Sequence, residues 1–198
     1  MSGIEIIAAD AEEIEINKRE LAARLKTDAD FNSESVESCK QRLFDAIDYK
    51  CAYIKAEVDL SKENLCDFGF MKVKSVKLYK NLFGCREAFV MAMTTGIAVD
   101  RLLARLNMLS QAEHFITDGL SSAAIESFCD YACKKMSKGY ICVNRFSPGY
   151  GDVSLETQKP LLARLNADRI LGITLNSAYL MTPVKSITAI MGIKSKLV

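Results

Sequence analysis

An arginine, a tyrosine and two glycines fall within the short segment RFSPGYGD, residues 145–152. Arg145 supplies a cationic, bidentate hydrogen-bond donor, and Gly149 lies between Pro148 and Tyr150. A plain turn needs only the proline and the glycine. The additional guanidinium and aromatic ring leave two interpretations open, a turn or a ligand-binding loop.

A carboxylate on a predicted long helix is the second candidate for chemistry. The segment DGLSSAAIESFCDYAC places Glu126 on one helical face with Gly119, Ser122, Cys129 and Cys133. Small residues on such a face admit either another backbone or a ligand, and a carboxylate there lies at a wet rim or needs a partner. A helix–helix crossing and a carboxylate that binds a ligand's ammonium or hydroxyl groups are therefore the alternatives.

The groups used by common catalytic sites are missing from the sequence. His114 is the only histidine, which leaves little room for a Ser-His or Cys-His dyad and excludes an imidazole-rich metal site. GxGxxG and P-loop motifs are also absent. We therefore predict no catalytic residue and no metal site, and expect any reactivity to belong to a cofactor that the protein binds and orients.

The charge balance argues against nucleic acid as a partner. The chain has 26 Lys and Arg residues against 25 Asp and Glu residues, a net charge of +1, whereas nucleic-acid binders normally carry a strong basic excess. The run MKVKSVKLYK gathers Lys72, Lys74, Lys77 and Lys80, which we name the lysine surface. Such a run is commonly a solvated face, and its functional alternative is the docking of an acidic protein partner.

Composition also predicts a cytoplasmic protein without a membrane segment. No apolar run approaches the roughly 18 residues of a membrane span, and the acidic start MSGIEIIAADAEEIE lacks the basic region of a signal peptide. The seven cysteines contain no C-x-x-C pair, which is typical of buried free thiols in a reducing cytoplasm.

Hydrophobic periodicity alternates between that of helices and that of strands, which predicts one α+β domain over residues 1–198, with 1–16 as an extended edge segment. The Ser110–Glu113 capping box begins the longest helix, and Pro160 fits only the first turn of its helix. In chain order, the predicted elements are a helix from Asn17 to about Lys26, a helix with Val36, Cys39, Leu43 and Ile47 on one face, strands over 51–60 and 68–74, a central strand over 87–95, a helix over 97–107, a helix from Ser110 to about Met136, a helix within 157–166 and a final strand over 185–193.

The C-terminal third of the chain carries a family resemblance. The stretch RFSPGYGDVSLETQKPLLARLNADRILGITL, followed by YLMTPVKSITAIMGI, resembles the activation (reactivation) domain of cobalamin-dependent methionine synthase, in its free-standing form. The resemblance is densest over residues 144–193 and continues more weakly upstream through TTGIAVDRLLAR and AAIESFCD, so it covers most of the chain. An R-x-x-P-G-Y motif followed by a helix and then M-x-P is a fairly specific signature.

The resemblance implies a mostly antiparallel sheet packed with helices and a role in methionine biosynthesis. Domains of this family bind S-adenosylmethionine. When cobalamin has been oxidised to its cobalt(II) form, a flavodoxin- or ferredoxin-like donor supplies an electron and S-adenosylmethionine then methylates the cobalt. For a free-standing protein, the cobalamin is expected on a separate methionine synthase chain.

The same resemblance implies roles for five residues of this sequence. Arg145 would bind the ligand's carboxylate through its planar fork, and Glu126 matches a ligand-contacting glutamate of the family. Ser147 would offer main-chain contacts, and Gly149 would let backbone groups approach the ligand. Tyr150 would place its ring beside the adenine or near the sulfonium. Methyl transfer needs alignment and no proton shuttle, so the lack of a general base is consistent with this role.

Departures from the family pattern put part of the ligand site in doubt. The family's T-E-S triplet before the M-x-P segment is replaced by residues 176–178, Asn-Ser-Ala, and a second family glutamate falls on Gly139. A ligand-contacting tyrosine after the last strand and an early aspartate of the large enzyme have no match before Val198. Two other functions therefore stay open, an accessory binding protein of another corrinoid methyltransferase system and an interaction protein that has lost the ligand.

Overall fold

The computed structural model describes residues 3–26 and 34–196. Within these residues an antiparallel sheet is covered by helices on both faces, so the predicted α+β fold class is confirmed. Residues 1–2, which belong to the predicted edge segment, and Val198 lie outside the described residues.

Five strands form the main sheet, in the order β1, β2, β5, β9, β6, and every neighbouring pair is antiparallel. The predicted central strand is β5, and β1 lies at one edge. Two small two-stranded sheets consist of β3 with β4 and β7 with β8. The strand bounds are β1 Glu5–Ala9, β2 Tyr49–Glu57, β3 Leu65–Asp67, β4 Lys72–Lys74, β5 Glu87–Thr94, β6 Tyr140–Cys142, β7 Thr174–Leu175, β8 Met181–Thr182 and β9 Ser186–Lys196.

The α-helices in the described part of the chain number seven, and two of them, α5 and α6, contribute side chains to the cleft described below. The predicted helix after Ser110 runs 26 residues, to Met136. The helix bounds are α1 Lys18–Leu25, α2 Glu34–Ala46, α3 Val76–Leu82, α4 Ile97–Leu109, α5 Gln111–Met136, α6 Gln158–Arg164 and α7 Ala167–Ile170.

The sheet separates two hydrophobic cores because successive side chains of a strand point to opposite faces. Phe89 and Met91 of β5 pack in the core that contains Phe128 of α5. Val90 of β5 packs with Leu161 of α6 on the other face. A continuous apolar run therefore suits β5, which is buried on both sides.

Two predicted helix starts are present, one of them in altered form. The Asn17 side chain caps α1 by accepting hydrogen bonds from the N–H groups of Arg19 and Glu20. The Ser110 hydroxyl accepts from the N–H of Glu113 at 3.3 Å, but the Glu113 carboxylate pairs with Arg42 of α2 at 2.8 Å. The Glu113 half of the predicted capping box is thus replaced by an ion pair between α2 and α5.

The prediction of one strand over 68–74 was wrong. Residues 72–74 form β4, while residues 68–71 are the turn that joins β3 to β4. Gly69 in that turn has φ +79°, a left-handed conformation that interrupts extended backbone, and the N–H of Phe68 donates to the carbonyl of Met71 at 2.9 Å. The predicted strand over 51–60 is displaced by two residues at its start, and Ile47 follows the end of α2.

No helix among the described residues is both long enough and apolar enough to cross a bilayer.

Candidate functional site

Four of the five predicted site residues line one cleft of about 580 Å³. They are Glu126, Arg145, Ser147 and Tyr150. The walls come from α5, the loop between β6 and α6, the start of α6 and residues 179–188. The sequence alone could not show that α5 and this loop share a cavity.

Gly149, the fifth predicted residue, shapes the loop without lining the cleft. Its φ is +89°, and its N–H donates to the carbonyl of Val153 at 2.9 Å. The N–H of Tyr150 donates to the carbonyl of Ser147 at 3.2 Å, which closes the turn. A Cβ on Gly149 would lie 2.8 Å from Leu155, so the glycine is needed both for conformation and for space.

The loop over 145–152 is fastened at both ends. Phe146 exchanges two backbone hydrogen bonds with Ile190 of β9, at 2.8 and 2.9 Å. The Asp152 carboxylate accepts hydrogen bonds from the Ser75 hydroxyl and the N–H of Val76 at the start of α3, where a negative charge is favoured. The hydrogen bond from Ser75 lowers the pKa of Asp152.

Arg145 already has two carboxylate partners, both from α5. Its Nη2 donates to Glu126 at 2.8 Å, and its Nη1 donates to Asp130. The sequence-based alternatives for the segment, a plain turn or a ligand loop, both omitted this contact. Asp130 was missed, although its position one helical turn after Glu126 places it on the same face.

The guanidinium stays charged in this partly buried position. Burial acts to lower the pKa of Arg145, but the neighbouring Cys129 and Asp130 side chains raise it above its ordinary value.

Cys129 and Cys133 lie one turn apart on the face of α5 near Arg145, and a hydrogen bond between them lowers the pKa of Cys133. All seven cysteines of the chain are free thiols, five buried and two half-buried.

An apolar rim surrounds the cleft. Tyr150, Leu155, Leu180 and Val184 all line it and are exposed. Tyr150 is the most accessible of them, at 70%. Exposed apolar groups around one opening are typical of a surface that receives a ligand or partner.

Gln158 at the start of α6 contributes a buried acceptor that has no donor. Its Nε2 donates to the carbonyl of Tyr179 at 3.2 Å, and its Oε1 has no hydrogen-bond partner. The carbonyl of Tyr179 can only accept, so the amide orientation is settled. An unpaired buried acceptor is costly unless a ligand or water satisfies it.

Lys185 is a further charged residue that the sequence-based reasoning missed. Its ammonium group pairs with Asp118 at 2.6 Å and with the Ser122 hydroxyl at 2.7 Å, and its side chain is only 11% exposed. These contacts fasten the segment after the M-x-P motif to α5. The only feature of the sequence that could have identified Lys185 is its position two residues after Pro183 of the M-x-P motif.

The helix–helix crossing predicted for the small-residue face of α5 is present, and the ligand contact of Glu126 stays a prediction. A Cβ on Gly119 would lie 2.9 Å from Leu25 of α1, so this glycine permits a close helix–helix contact. Farther along the same helix, Ser122 contacts Lys185 and Glu126 contacts Arg145. The face thus begins as a helix crossing and continues as a wall of the cleft.

The residues at two positions that depart from the family pattern have structural roles in their own loop or turn. The Asn176 side chain accepts hydrogen bonds from the N–H groups of Ala178 and Leu180, so it closes its own loop. Gly139 has φ +85° and lies in the turn after α5. Neither position brings a carboxylate to the cleft.

A larger cleft of about 950 Å³ lies near the opposite end of β2 and β5. None of the predicted site residues lines it, and its Lys55 and Glu87 pair with each other at 3.1 Å. Within the described residues, no group of three or more His, Cys, Asp or Glu side chains could hold a metal ion.

The cleft can bind a ligand that carries both charges and an apolar ring. A guanidinium has five N–H donors, and Arg145 uses two of them on α5, so it retains donors for a ligand carboxylate. Glu126 beside it can accept from an ammonium group. The exposed rim with Tyr150 offers an aromatic face for a planar base.

Comparison with known proteins gives a structural likeness only. No family model and no curated protein matches the chain. The crystal structure described as the MetH reactivation domain bound to AdoHcy is similar, with a TM-score of 0.63 and 14% sequence identity, over 99% of this chain and 80% of that chain. The chain therefore shares the fold of that domain.

Proposed function

We propose that this protein binds S-adenosylmethionine in the cleft and supports the reductive methylation of oxidised cobalamin on a separate, cobalamin-dependent methionine synthase chain. The observation that carries the proposal is the meeting of Arg145 and Glu126 with an apolar rim in one cleft. The shared fold with a domain described as bound to AdoHcy supports the ligand class.

The residues fit the two ends of this ligand. The methionine part carries a carboxylate and an ammonium group, which match the guanidinium of Arg145 and the carboxylate of Glu126. Tyr150 and the leucines of the rim match the adenosine part.

In this proposal the chain aligns a sulfonium methyl group at the open face of the cleft. Cobalamin on the partner chain would supply the metal nucleophile, with an electron from a flavodoxin- or ferredoxin-like donor. The donor's electron would reduce cobalt(II) to cobalt(I), and a cobalt–carbon bond would form to the methyl group as the methyl–sulfur bond breaks. The electron pair of the broken bond stays on sulfur, which leaves S-adenosylhomocysteine. Such a transfer depends on orientation and on exclusion of water, and the protein's contribution is to fix the methyl donor.

A ligand titration tests the proposal directly. A ligand that binds only the folded state at about 100 times its Kd adds about 2.7 kcal/mol, which corresponds to roughly 5–10 °C in Tm for a chain of this size. We expect such a shift with S-adenosylmethionine and none with methionine alone at equal concentration. A labelled methyl group should then pass to the cobalamin-carrying chain only when the electron donor is present.

A second candidate, an interaction protein without the ligand, is favoured by one observation. Arg145 has two carboxylate partners within the chain, so its presence can be explained by structure alone. Absence of a Tm shift at millimolar S-adenosylmethionine, with cobalamin and a reductant present, would support this candidate.

A further inference from the structure

Apolar side chains occupy five of the seven positions on the outward face of α4. In most surface helices this face is polar, and the opposite face of α4 already packs in the core through Val99, Leu103 and Leu106. α4 has 13 residues and is about 20 Å long. At 100° per residue the outward positions share one arc, which we name the α4 surface: Ile97, Ala98, Arg101, Ala104, Arg105, Met108 and Leu109, all exposed.

The only charges on the α4 surface are two arginines. Within the described residues, neither Arg101 nor Arg105 has a carboxylate in salt-bridge range. Met108, about one turn beyond Arg105 toward the C-terminal end of the helix, is 81% exposed. Methionine and arginine are enriched at protein interfaces, whereas lysine and glutamate, absent from this arc, are depleted there.

The α4 surface adjoins the cleft. Asp100, in the first turn of α4, accepts a hydrogen bond from the N–H of Val184 at 2.9 Å. Val184 lines the cleft and is 66% exposed. A partner on the α4 surface would therefore reach the opening where the ligand's reactive group is presented.

We propose that the α4 surface docks an acidic protein partner, whose carboxylates pair with Arg101 and Arg105 while its apolar groups pack on Met108 and Leu109 at the end of the helix. This inference rests on the proposed function and names the partner as the cobalamin-carrying chain, because that chain must come to the cleft opening. The lysine surface lies next to the Asp152 end of the loop over 145–152, and we assign it to the docking of the electron donor.

Charge complementarity favours this occupant over two others. A second copy meeting the same face through a two-fold axis would bring four guanidinium groups together without a carboxylate, and like charges in contact are unfavourable. An anionic lipid surface gains only about 1 kcal/mol per arginine, and the chain as a whole has a net charge of only +1.

The test compares matched charge reversals. The full-length chain is titrated with a cobalamin-carrying methionine synthase chain that lacks its own reactivation domain, by calorimetry at about 0.15 M salt. We expect Arg105→Glu to weaken the complex at least tenfold and Met108→Gln about threefold or more. Arg169→Glu is the control, because Arg169 is exposed on α7, on the other side of the sheet, and should change Kd less than twofold.

Several outcomes would overturn the inference. Equal weakening by Arg105→Glu and Arg169→Glu would indicate net charge alone, and no weakening by either α4 variant would exclude the surface. A wild-type dimer that the variants dissociate, or variant-sensitive binding to anionic vesicles, would assign the surface to another occupant. S-adenosylmethionine affinity is measured on the wild type and on the same variants, and the variants that lose the complex should keep the wild-type ligand affinity. A wild-type chain that binds the ligand but forms no complex refutes the docking surface, whereas a wild-type chain that does not bind the ligand refutes the proposed function.

Discussion

Replacing Arg145 with alanine should damage both folding and ligand binding, and the two effects can be separated. The substitution leaves Glu126 and Asp130 side by side without their cation. Hydrogen bonds to charged groups contribute about 1.5–3 kcal/mol when buried, but exposed pairs contribute only about 0–1 kcal/mol. The side chains of Arg145 and Glu126 are 30% and 35% exposed, and that of Asp130 is 67% exposed, so the values must be discounted.

Reduced for this exposure, the two ion pairs of Arg145 together contribute about 1–2 kcal/mol to the free energy of unfolding, mostly through the pair with Glu126. At roughly 2–4 °C per kcal/mol for a chain of this size, Tm should fall by about 2–8 °C. The sequence alone would have predicted a nearly silent change if the segment were only a turn. A measurable loss of stability is therefore expected from the ion pairs, whether or not a ligand binds.

The ligand effect is measured on the folded variant by calorimetry. Loss of the carboxylate partner should weaken S-adenosylmethionine binding by about 10- to 150-fold, the equivalent of 1.5–3 kcal/mol. Arg145→Lys should recover part of the affinity because an ammonium cannot form the planar fork. Arg169→Ala is the control, because Arg169 is exposed and has no ion pair with any residue that the structure describes. Equal affinity in wild type and Arg145→Ala would refute the assignment and leave the arginine with a structural role.

Four further substitutions, with Gly69→Ala as a control, test the surroundings of the cleft. Gly149→Ala and Gly69→Ala, both at left-handed glycines, should each cost about 1–3 kcal/mol of stability. Calorimetry should show that only Gly149→Ala weakens ligand binding. Lys185→Met should lower Tm and ligand affinity together, because it frees the segment after the M-x-P motif from α5. Asp130→Asn, at an exposed carboxylate, should leave Tm unchanged within error and reduce the preference for S-adenosylmethionine over S-adenosylhomocysteine, since it removes a negative charge near a cationic ligand. The pKa of Asp152 is lowered in the fold, so its contribution to stability is present above about pH 4 and is lost as the pH falls below that value. Thermal melts of Asp152→Asn should therefore show a lower Tm than wild type at pH 7 and a smaller fall in Tm as the pH is lowered.

The elements that the sequence predicted are those with many residues in one period. α5 and β5 each contain enough apolar positions to fix their type, and the caps at Asn17 and Ser110 fix where two helices begin. The short α3, α7, β7 and β8 lacked this signal, because two to seven residues do not define a period. The 68–74 segment failed for a related reason: Gly69 turns the chain within what looks like one extended run.

Sequence reasoning identified some members of the candidate site and missed others, and it identified none of the contacts between them. Glu126 and Arg145 were both identified, and the structure pairs them at 2.8 Å. What could not be predicted is how α5 is rotated against the loop, because that depends on packing between distant segments. Asp130 and Lys185 entered the site through this rotation.

The ion pairs of Arg145 also bear on how the proposed ligand would be held. A free arginine loses up to about 2 kcal/mol of side-chain entropy when it is fixed, and here Glu126 and Asp130 hold the guanidinium before any ligand arrives. Binding then avoids much of that cost. The same carboxylates outnumber the single cation, so the site is negative overall and favours a ligand with net positive charge. A sulfonium ligand satisfies that condition, and its product, which has lost the positive charge on sulfur, does so less well, which would favour release after transfer.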